Sequence, residues 1–259
     1  MKAVVKVGTS TLAHATGRLN IRRIEGLCKV LSDLKNAGHE IILVSSGAIG
    51  MGVGKLCLPG RPADMPTKQA AAAVGQCELM YTYDKLFSEY SHTVAQILIT
   101  SEDLADAVRR QNLHNTLDRL LQLGALPIVN ENDTVSTAEI AVGDNDTLAA
   151  RLCESLGAEL LVILSDIDGL YTADPHKDPA ARLIGWVDAI TPDIEALAGG
   201  AGSGLGTGGM ATKLRAGRIV TAAGADMVIA NGREPEVLYT VFEGKAAGTR
   251  FAAQRGAGE

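Results

Sequence analysis

Six short runs rich in valine, isoleucine and leucine recur along the chain: Ala3 to Val7, Glu40 to Val44, Thr93 to Ile99, Leu126 to Val129, Leu160 to Leu164 and Asp226 to Ile229. They are largely unalternating, which means strands buried on both faces. Between them lie stretches with helical spacing, Ile21 to Ala37, Thr67 to Tyr90, Ser101 to Leu123, Asp144 to Leu156 and Met210 to Ala223. Strands separated by helices predict an α/β fold, a mainly parallel sheet sandwiched by helices. In such sheets ligands gather beyond the carboxyl ends of the strands. That rule picks out Gly8 to Thr11, Ser45 to Gly50, Asn130 to Asp133 and Ser165 to Gly169.

Composition narrows the class without changing this picture. No Pro/Ser-rich linker, charge block or repeat divides the 259 residues, so residues 1–259 read as one domain with two lobes, about 1–155 and 156–259. Hydrophobic residues at 46% and charged residues at 21% fit a soluble globular protein. The longest apolar runs are strand-length and no membrane span is expected. Gly8-Thr9-Ser10 interrupts any signal-peptide pattern at once, so the expected location is cytoplasmic. A formal charge of −6 argues against a nucleic-acid surface, and any anionic ligand must be held by local cations and helix ends. Cys28, Cys57, Cys77 and Cys153 show no CxxC pairing, and the five histidines show no ligand spacing, so no protein metal site is expected.

Two lysines about two hundred residues apart are set in glycine beside a regular element. Lys6 lies in Val4-Val5-Lys6-Val7-Gly8-Thr9-Ser10, a strand breaking into a turn. Lys213 closes Gly206-Thr207-Gly208-Gly209-Met210-Ala211-Thr212-Lys213, which runs into a helical stretch. Glycine lets backbone N–H groups close around an oxyanion, a helix start adds positive potential, and lysine supplies a mobile charge. Together they suggest a phosphate site built from both ends of the chain. Read alone, the glycine run Gly199 to Gly209 is equally a surface linker. Gly204-x-Gly206-x-x-Gly209 matches the dinucleotide fingerprint by letter but follows a loop, not a first strand, and Gly50 to Leu56 lacks Walker A spacing.

The middle of the chain is denser in polar chemistry. Asn130-Glu131-Asn132-Asp133 reads as a turn after a strand, Thr134 to Val142 as a short hairpin, and Gly143-Asp144-Asn145-Asp146-Thr147 as the start of a helix. Asp144 to Asp146 serve equally as an N-cap cluster. Their donors and acceptors also suit the α-amino and carboxylate groups of an amino acid.

Several segments taken together resemble the glutamate 5-kinase family of the amino-acid kinase superfamily. They are Lys6 to Ser10, Val44 to Ile49, Lys68 to Gln76, Asn130 to Asp133 with Glu139-Ile140 and Gly143 to Asp146, Gly169 to Pro175, and Thr207 to Lys213. The resemblance covers nearly the whole chain in order. The Asn-Glu-Asn-Asp and Gly-Asp-Asn-Asp pair is its most specific part; the Gly-Leu-Tyr-Thr-x-Asp-Pro stretch and the lysine loop are shared more widely.

The resemblance implies the amino-acid kinase fold, with a substrate lobe followed by a nucleotide lobe. It implies ATP-dependent phosphorylation of the side-chain carboxylate of L-glutamate, with Mg²⁺ accompanying the nucleotide and no dedicated carboxylate cage for it. Lys6 and Lys213 would stabilise the transferring phosphoryl group and Asp146 would orient them. Ser46, Asp133 and Asn145 match glutamate-binding positions, with Asn130 and Asp144 beside them. Lys6, Gly8, Ser165, Asp166, Thr207, Gly208, Gly209, Met210, Ala211, Thr212 and Lys213 match ATP-binding positions. Position 165 is Ser where many members carry Thr, and many relatives continue into a C-terminal PUA domain that is not expected here. Proline inhibition through Arg109 to Asp133 and a homo-oligomer, dimer or tetramer, are further expectations. Other amino-acid kinases, acting on different carboxylate or carbamate acceptors, would keep the lysine loops but change the Asn130 to Asp146 region. A non-catalytic amino-acid sensor would be expected to lose a lysine or the aspartate, and all three are present.

Overall fold

The computed structural model describes residues 1–14, 18–136, 145–175, 177–199 and 209–254. One eight-stranded sheet forms the centre: β1 (Lys2–Val7), β2 (Glu40–Ser45), β3 (Val94–Ile99), β4 (Leu126–Glu131), β5 (Leu160–Ser165), β6 (Trp186–Val187), β7 (Asp226–Asn231) and β8 (Thr249–Phe251). The strand order is β3-β4-β2-β1-β5-β7-β8-β6, and every pairing is parallel except β7 with β8. The expected mainly parallel sheet is therefore observed. All six predicted strands form, most of them one or two residues longer than predicted. Asn130 and Glu131 continue β4 instead of turning, because β3 runs alongside and pairs Leu98 with Asn130 and Ile99 with Glu131.

The helices are α1 (Thr9–Leu12), α2 (Ile21–Asn36), α3 (Ala48–Lys55), α4 (Met65–Ser88), α5 (Ser101–Ala105), α6 (Ala107–Gln122), α7 (Asn145–Ser155), α8 (Pro192–Ala196), α9 (Met210–Ala222) and α10 (Val237–Phe242). Starts are set by side-chain caps: Asn20 accepts from the Arg23 amide and Asp64 from the Thr67 amide. The predicted helix Ser101 to Leu123 is two helices. Asp106 is extended and accepts from the Arg109 amide at 2.8 Å, so a new N-cap interrupts the run. Of the predicted hairpin, Thr134 and Val135 lie in a turn, and residues 137–142 fall outside the described residues.

Side-chain alternation along the strands divides the core into two layers. Val5, Val7, Leu43 and Val162 face α2, α4 and α10, among Leu27, Leu31, Leu79, Tyr83, Phe87 and Leu238. Val4, Val44, Leu161 and Ile163 face the other side, among Leu117, Leu148, Leu152, Leu214 and Val220. Lys6, two residues beyond Val4, is thereby directed to the face covered by α7 and α9.

Helix α3 escaped prediction because Gly50, Gly52 and Gly54 are poor helix formers. Its glycines serve packing instead. A Cβ at Gly75 of α4 would collide with the Ala48 carbonyl oxygen and the Gly52 amide, and one at Gly52 with the Ala71 carbonyl. Gly47 just before α3 has φ 113°, a left-handed conformation that favours glycine. The turn from β2 into α3 is thus pressed against α4. Gly75→Ala is expected to cost about 1–3 kcal/mol through overpacking and to lower Tm by several degrees in a thermal melt. An unchanged Tm would show that the crossing can relax.

No helix among the described residues is long and apolar enough to cross a membrane.

Candidate active site

Three charged side chains meet where β1 ends and α7 and α9 begin. Lys6 Nζ lies 2.6 Å from Asp146 Oδ1, and Lys213 Nζ lies 3.1 Å from Asp146 Oδ2. Asp146 is 0% exposed, Lys6 7% and Lys213 5%. Thr212 Oγ1 donates within 3.2 Å of the same Asp146 oxygen and lies 2.7 Å from the Gly209 carbonyl, tying the first turn of α9 to that of α7. Burial pushes the Asp146 carboxyl upward, but the two ammonium groups outweigh it and hold its pKa at about 2. The carboxylate stays ionised at neutral pH, and the triad carries a net charge of +1. Such a group can neutralise a transient negative charge without drawing cations from solvent.

Backbone donors converge on the same place. Gly209 is the N-cap of α9 and offers no side-chain cap; the Thr212 N–H turns back to the Gly209 carbonyl at 3.2 Å, while those of Met210 and Ala211 at the helix start have no place in the helical ladder. Gly8 follows β1 as the N-cap of α1, and a Cβ there would lie 3.6 Å from Lys6 Nζ. Beside them, at the end of β5, Ser165 Oγ lies 3.3 Å from Asp166 Oδ1. Asn231, at the end of the neighbouring β7, donates to Asp168 Oδ1 at 2.6 Å.

A chain of amide hydrogen bonds leads from the triad toward α4. Asn145 Nδ2 donates to Ser46 Oγ at 2.8 Å and to Asn130 Oδ1 at 3.1 Å. Asn130 Nδ2 donates to Gln76 Oε1 at 2.9 Å. Ser45 Oγ shares a 2.8 Å hydrogen bond with the buried Tyr83 hydroxyl, which fixes the end of β2 from the α4 side. Asp133, half-buried, has its pKa raised to about 6 by burial and by the nearby Glu131 carboxylate, with Arg61 opposing.

The residues singled out in the sequence are largely brought together. Lys6, Asp146 and Lys213 touch, and Ser46, Asn130 and Asn145 form one hydrogen-bonded group whose last member precedes Asp146 in sequence. Asp133 lies just beyond β4. Asp144, Thr207 and Gly208 lie outside the described residues. Gln76, Tyr83 and Asn231 were given no role, and Ser45 was included only as the first residue of the Ser45 to Gly50 loop. Gln76 belongs to the Lys68 to Gln76 segment, but one amide in an alanine-rich helix carries no periodic signal; its mark is burial of a polar side chain.

The geometry can be set beside known proteins. The profile of the Amino acid kinase family matches residues 1–231. A glutamate 5-kinase of Clostridium tetani is 55% identical over 250 residues, covering 96% of this chain and 94% of that protein. One of Listeria monocytogenes is 49% identical over 258 residues, covering 98% and 94%. The chain belongs to the amino acid kinase family, among the glutamate 5-kinases. Solved structures of more distant amino acid kinase folds superpose along the whole length. A carbamate kinase from Giardia lamblia bound to AMP-PNP gives a TM-score of 0.70 at 18% identity, covering 98% of both chains. An isopentenyl phosphate kinase from T. acidophilum gives 0.62 at 17%, covering 97% of this chain and 100% of the other. At such identity these two report the fold alone. The identity near one half with glutamate 5-kinases is what narrows the family to that branch.

Proposed function

We infer that this chain transfers the γ-phosphoryl group of ATP to the side-chain carboxylate of L-glutamate, giving L-glutamyl 5-phosphate, the first step of proline biosynthesis from glutamate. The observation that carries this reading is the continuity of the Lys6–Asp146–Lys213 triad with the Ser46–Asn145–Asn130 amide group. A phosphoryl-stabilising cluster and an amino-acid-recognising cluster share the start of α7.

The chemistry asks little of the protein beyond charge and position. A glutamate side chain, pKa near ~4.3, is already an anion at neutral pH and needs no general base. Its approach to a triphosphate needs cations, and the transferring group spreads charge over three oxygens. Lys6 and Lys213 meet that charge from two sides, with Asp146 holding both in place. The Gly8 amide and the first turn of α9, Gly209 to Lys213, cradle phosphate oxygens, while Ser165 and Asp166 line the nucleotide side. Mg²⁺ enters with ATP as part of the substrate, held on phosphate oxygens and water. Ser46, Asn130 and Asn145 hold the glutamate, and Asp133 pairs with its α-ammonium.

That last role has a pH signature. A bound ammonium needs Asp133 ionised, and its pKa in the free protein is about 6. The kcat/KM for glutamate should therefore fall about tenfold per pH unit below that value, and Asp133→Asn should flatten the profile while raising KM. Because the folded pKa is raised, the same group lowers stability as pH rises from the unfolded value toward 6. A profile flat between pH 7 and 5 would remove Asp133 from this role.

The direct test is ATP consumption by the purified protein with Mg²⁺ and L-glutamate, with hydroxylamine trapping the acyl phosphate as a hydroxamate. Glutamate-dependent hydroxamate, absent with aspartate or acetylglutamate, is the expected result; tight ATP binding without turnover would point to another acceptor or a sensor. Two finer points belong to the same reading. Proline inhibits through the segment 109–133, and inhibition absent at millimolar proline rejects this. The enzyme works in the cytoplasm as a dimer or tetramer, which a monomer mass in light scattering would reject.

A further inference from the structure

Gln76 is 8% exposed, and its side-chain amide can be oriented without ambiguity. The Glu131 backbone N–H, which can only donate, lies 2.9 Å from Asn130 Oδ1 and fixes that atom as the oxygen. Asn130 Nδ2 is therefore the group facing Gln76, and the Gln76 atom that accepts from it must be Oε1. The Gln76 NH₂ group is left pointing elsewhere, and it has no acceptor among the described residues. An unmet buried donor is destabilising, and a marginally stable fold does not carry one without use.

The position of this donor indicates its use. Gly75, its neighbour on α4, packs against Ala48, which follows the Ser46-Gly47 turn. Gln76 is thus joined to the amino-acid end of the site from two directions, by α4 packing and through Asn130. Along the hydrogen-bond chain Asn145 to Asn130 to Gln76, Gln76 stands two side chains beyond Asn145, the residue next to Asp146. The carboxylate that attacks phosphorus must sit by the two lysines, so Gln76 addresses the opposite end of the substrate. There a glutamate presents an ammonium group, itself only a donor, and a carboxylate, only an acceptor.

Resting on the glutamate kinase reading above, we propose that Gln76 Nε2 donates a hydrogen bond to the α-carboxylate of the bound substrate and makes the site selective for amino acids with that group free. The donor is neutral and held by Asn130, so it favours an anion without adding charge beside the triad. A hydrogen bond to a charged acceptor of this kind contributes about 1.5–3 kcal/mol, or roughly 10- to 100-fold in binding.

The test compares L-glutamate with L-isoglutamine, in which the α-carboxylate is a carboxamide and the side-chain carboxylate is unchanged. Gln76→Glu keeps an oxygen for Asn130 but replaces the free donor by an acceptor. The ratio of kcat/KM for glutamate to that for isoglutamine should fall by about 10- to 100-fold, with KM for ATP unchanged. If the buried carboxylate prevents folding, Gln76→Met removes the donor without charge and should raise KM for glutamate about tenfold while lowering the same ratio. A variant in which both substrates decline together, leaving the ratio as in the wild type, overturns the proposal and assigns Gln76 to structure or to a bound water. Wild-type protein inert toward glutamate overturns the functional reading itself, and this inference with it.

Discussion

Lys213→Ala is expected to lower kcat by a factor of about 10² to 10³ or more, the scale on which preorganised transition-state donors act. The fold should survive. Lys213 contributes its charge at the fourth residue of α9, while Leu214, Ala216 and Val220 on the same helix supply the apolar contact that seats it. Asp146 would still pair with Lys6 at 2.6 Å, so the variant does not strand a carboxylate in the core. The loss should appear in kcat far more than in KM for glutamate, because the proposed glutamate contacts are assigned to the hydrogen-bonded Asn145, Asn130 and Ser46 and not to this lysine. Lys213→Arg should recover little, since a planar guanidinium does not match the ammonium that sits 3.1 Å from Asp146. Circular dichroism and a thermal melt beside the hydroxamate assay separate the two effects. Near-normal kcat in a folded Lys213→Ala protein would end the assignment of this lysine to the phosphoryl group.

The reach of the sequence differs between scaffold and site for a physical reason. Runs such as Leu160 to Leu164 are apolar on both faces, and burial of that kind leaves few alternatives to a central parallel strand. Polar extension of a strand has no such mark, so Asn130 and Glu131 read as a turn although β3 holds them in the ladder. Helix α3 was hidden because its glycines argue against helix locally and are explained only by α4 lying against them. Within the site, the glycine settings of Lys6 and Lys213 marked both residues in the sequence, and the fold brings the two together. The partnership of Asp146 with both lysines was not legible, because contacts across 67 residues and more leave no trace in spacing; family resemblance supplied it. Gln76 was least legible, since its meaning lies in which way an amide is pinned.

Asp146→Asn carries the largest expected effect on stability and tests the triad from its centre. Lys6 and Lys213 are both nearly buried, and removing the carboxylate leaves two ammonium groups facing a neutral amide. Breaking one partner out of a buried charge cluster costs on the order of 3 kcal/mol, which at roughly 2–4 °C per kcal/mol for a chain of this size lowers Tm by about 10 °C. The sign with pH is fixed by the depressed pKa of about 2. The carboxylate's contribution is complete above the unfolded value near ~3.9 and is lost as pH falls toward 2. The Tm gap between wild type and variant should therefore be full at pH 7 and narrow as pH falls from ~4 toward 2, where the carboxylate becomes protonated in both the folded and unfolded chain. ATP should close part of the gap at neutral pH, because its phosphates offer the two lysines an anion in place of the lost carboxylate; the nucleotide-induced rise in Tm should be larger in the variant than in the wild type. Turnover should fall by at least ~10²-fold, since the lysines are no longer held at the transferring group. Equal melting temperatures across pH, or a smaller response to ATP in the variant, would mean that Asp146 does not hold the two lysines together.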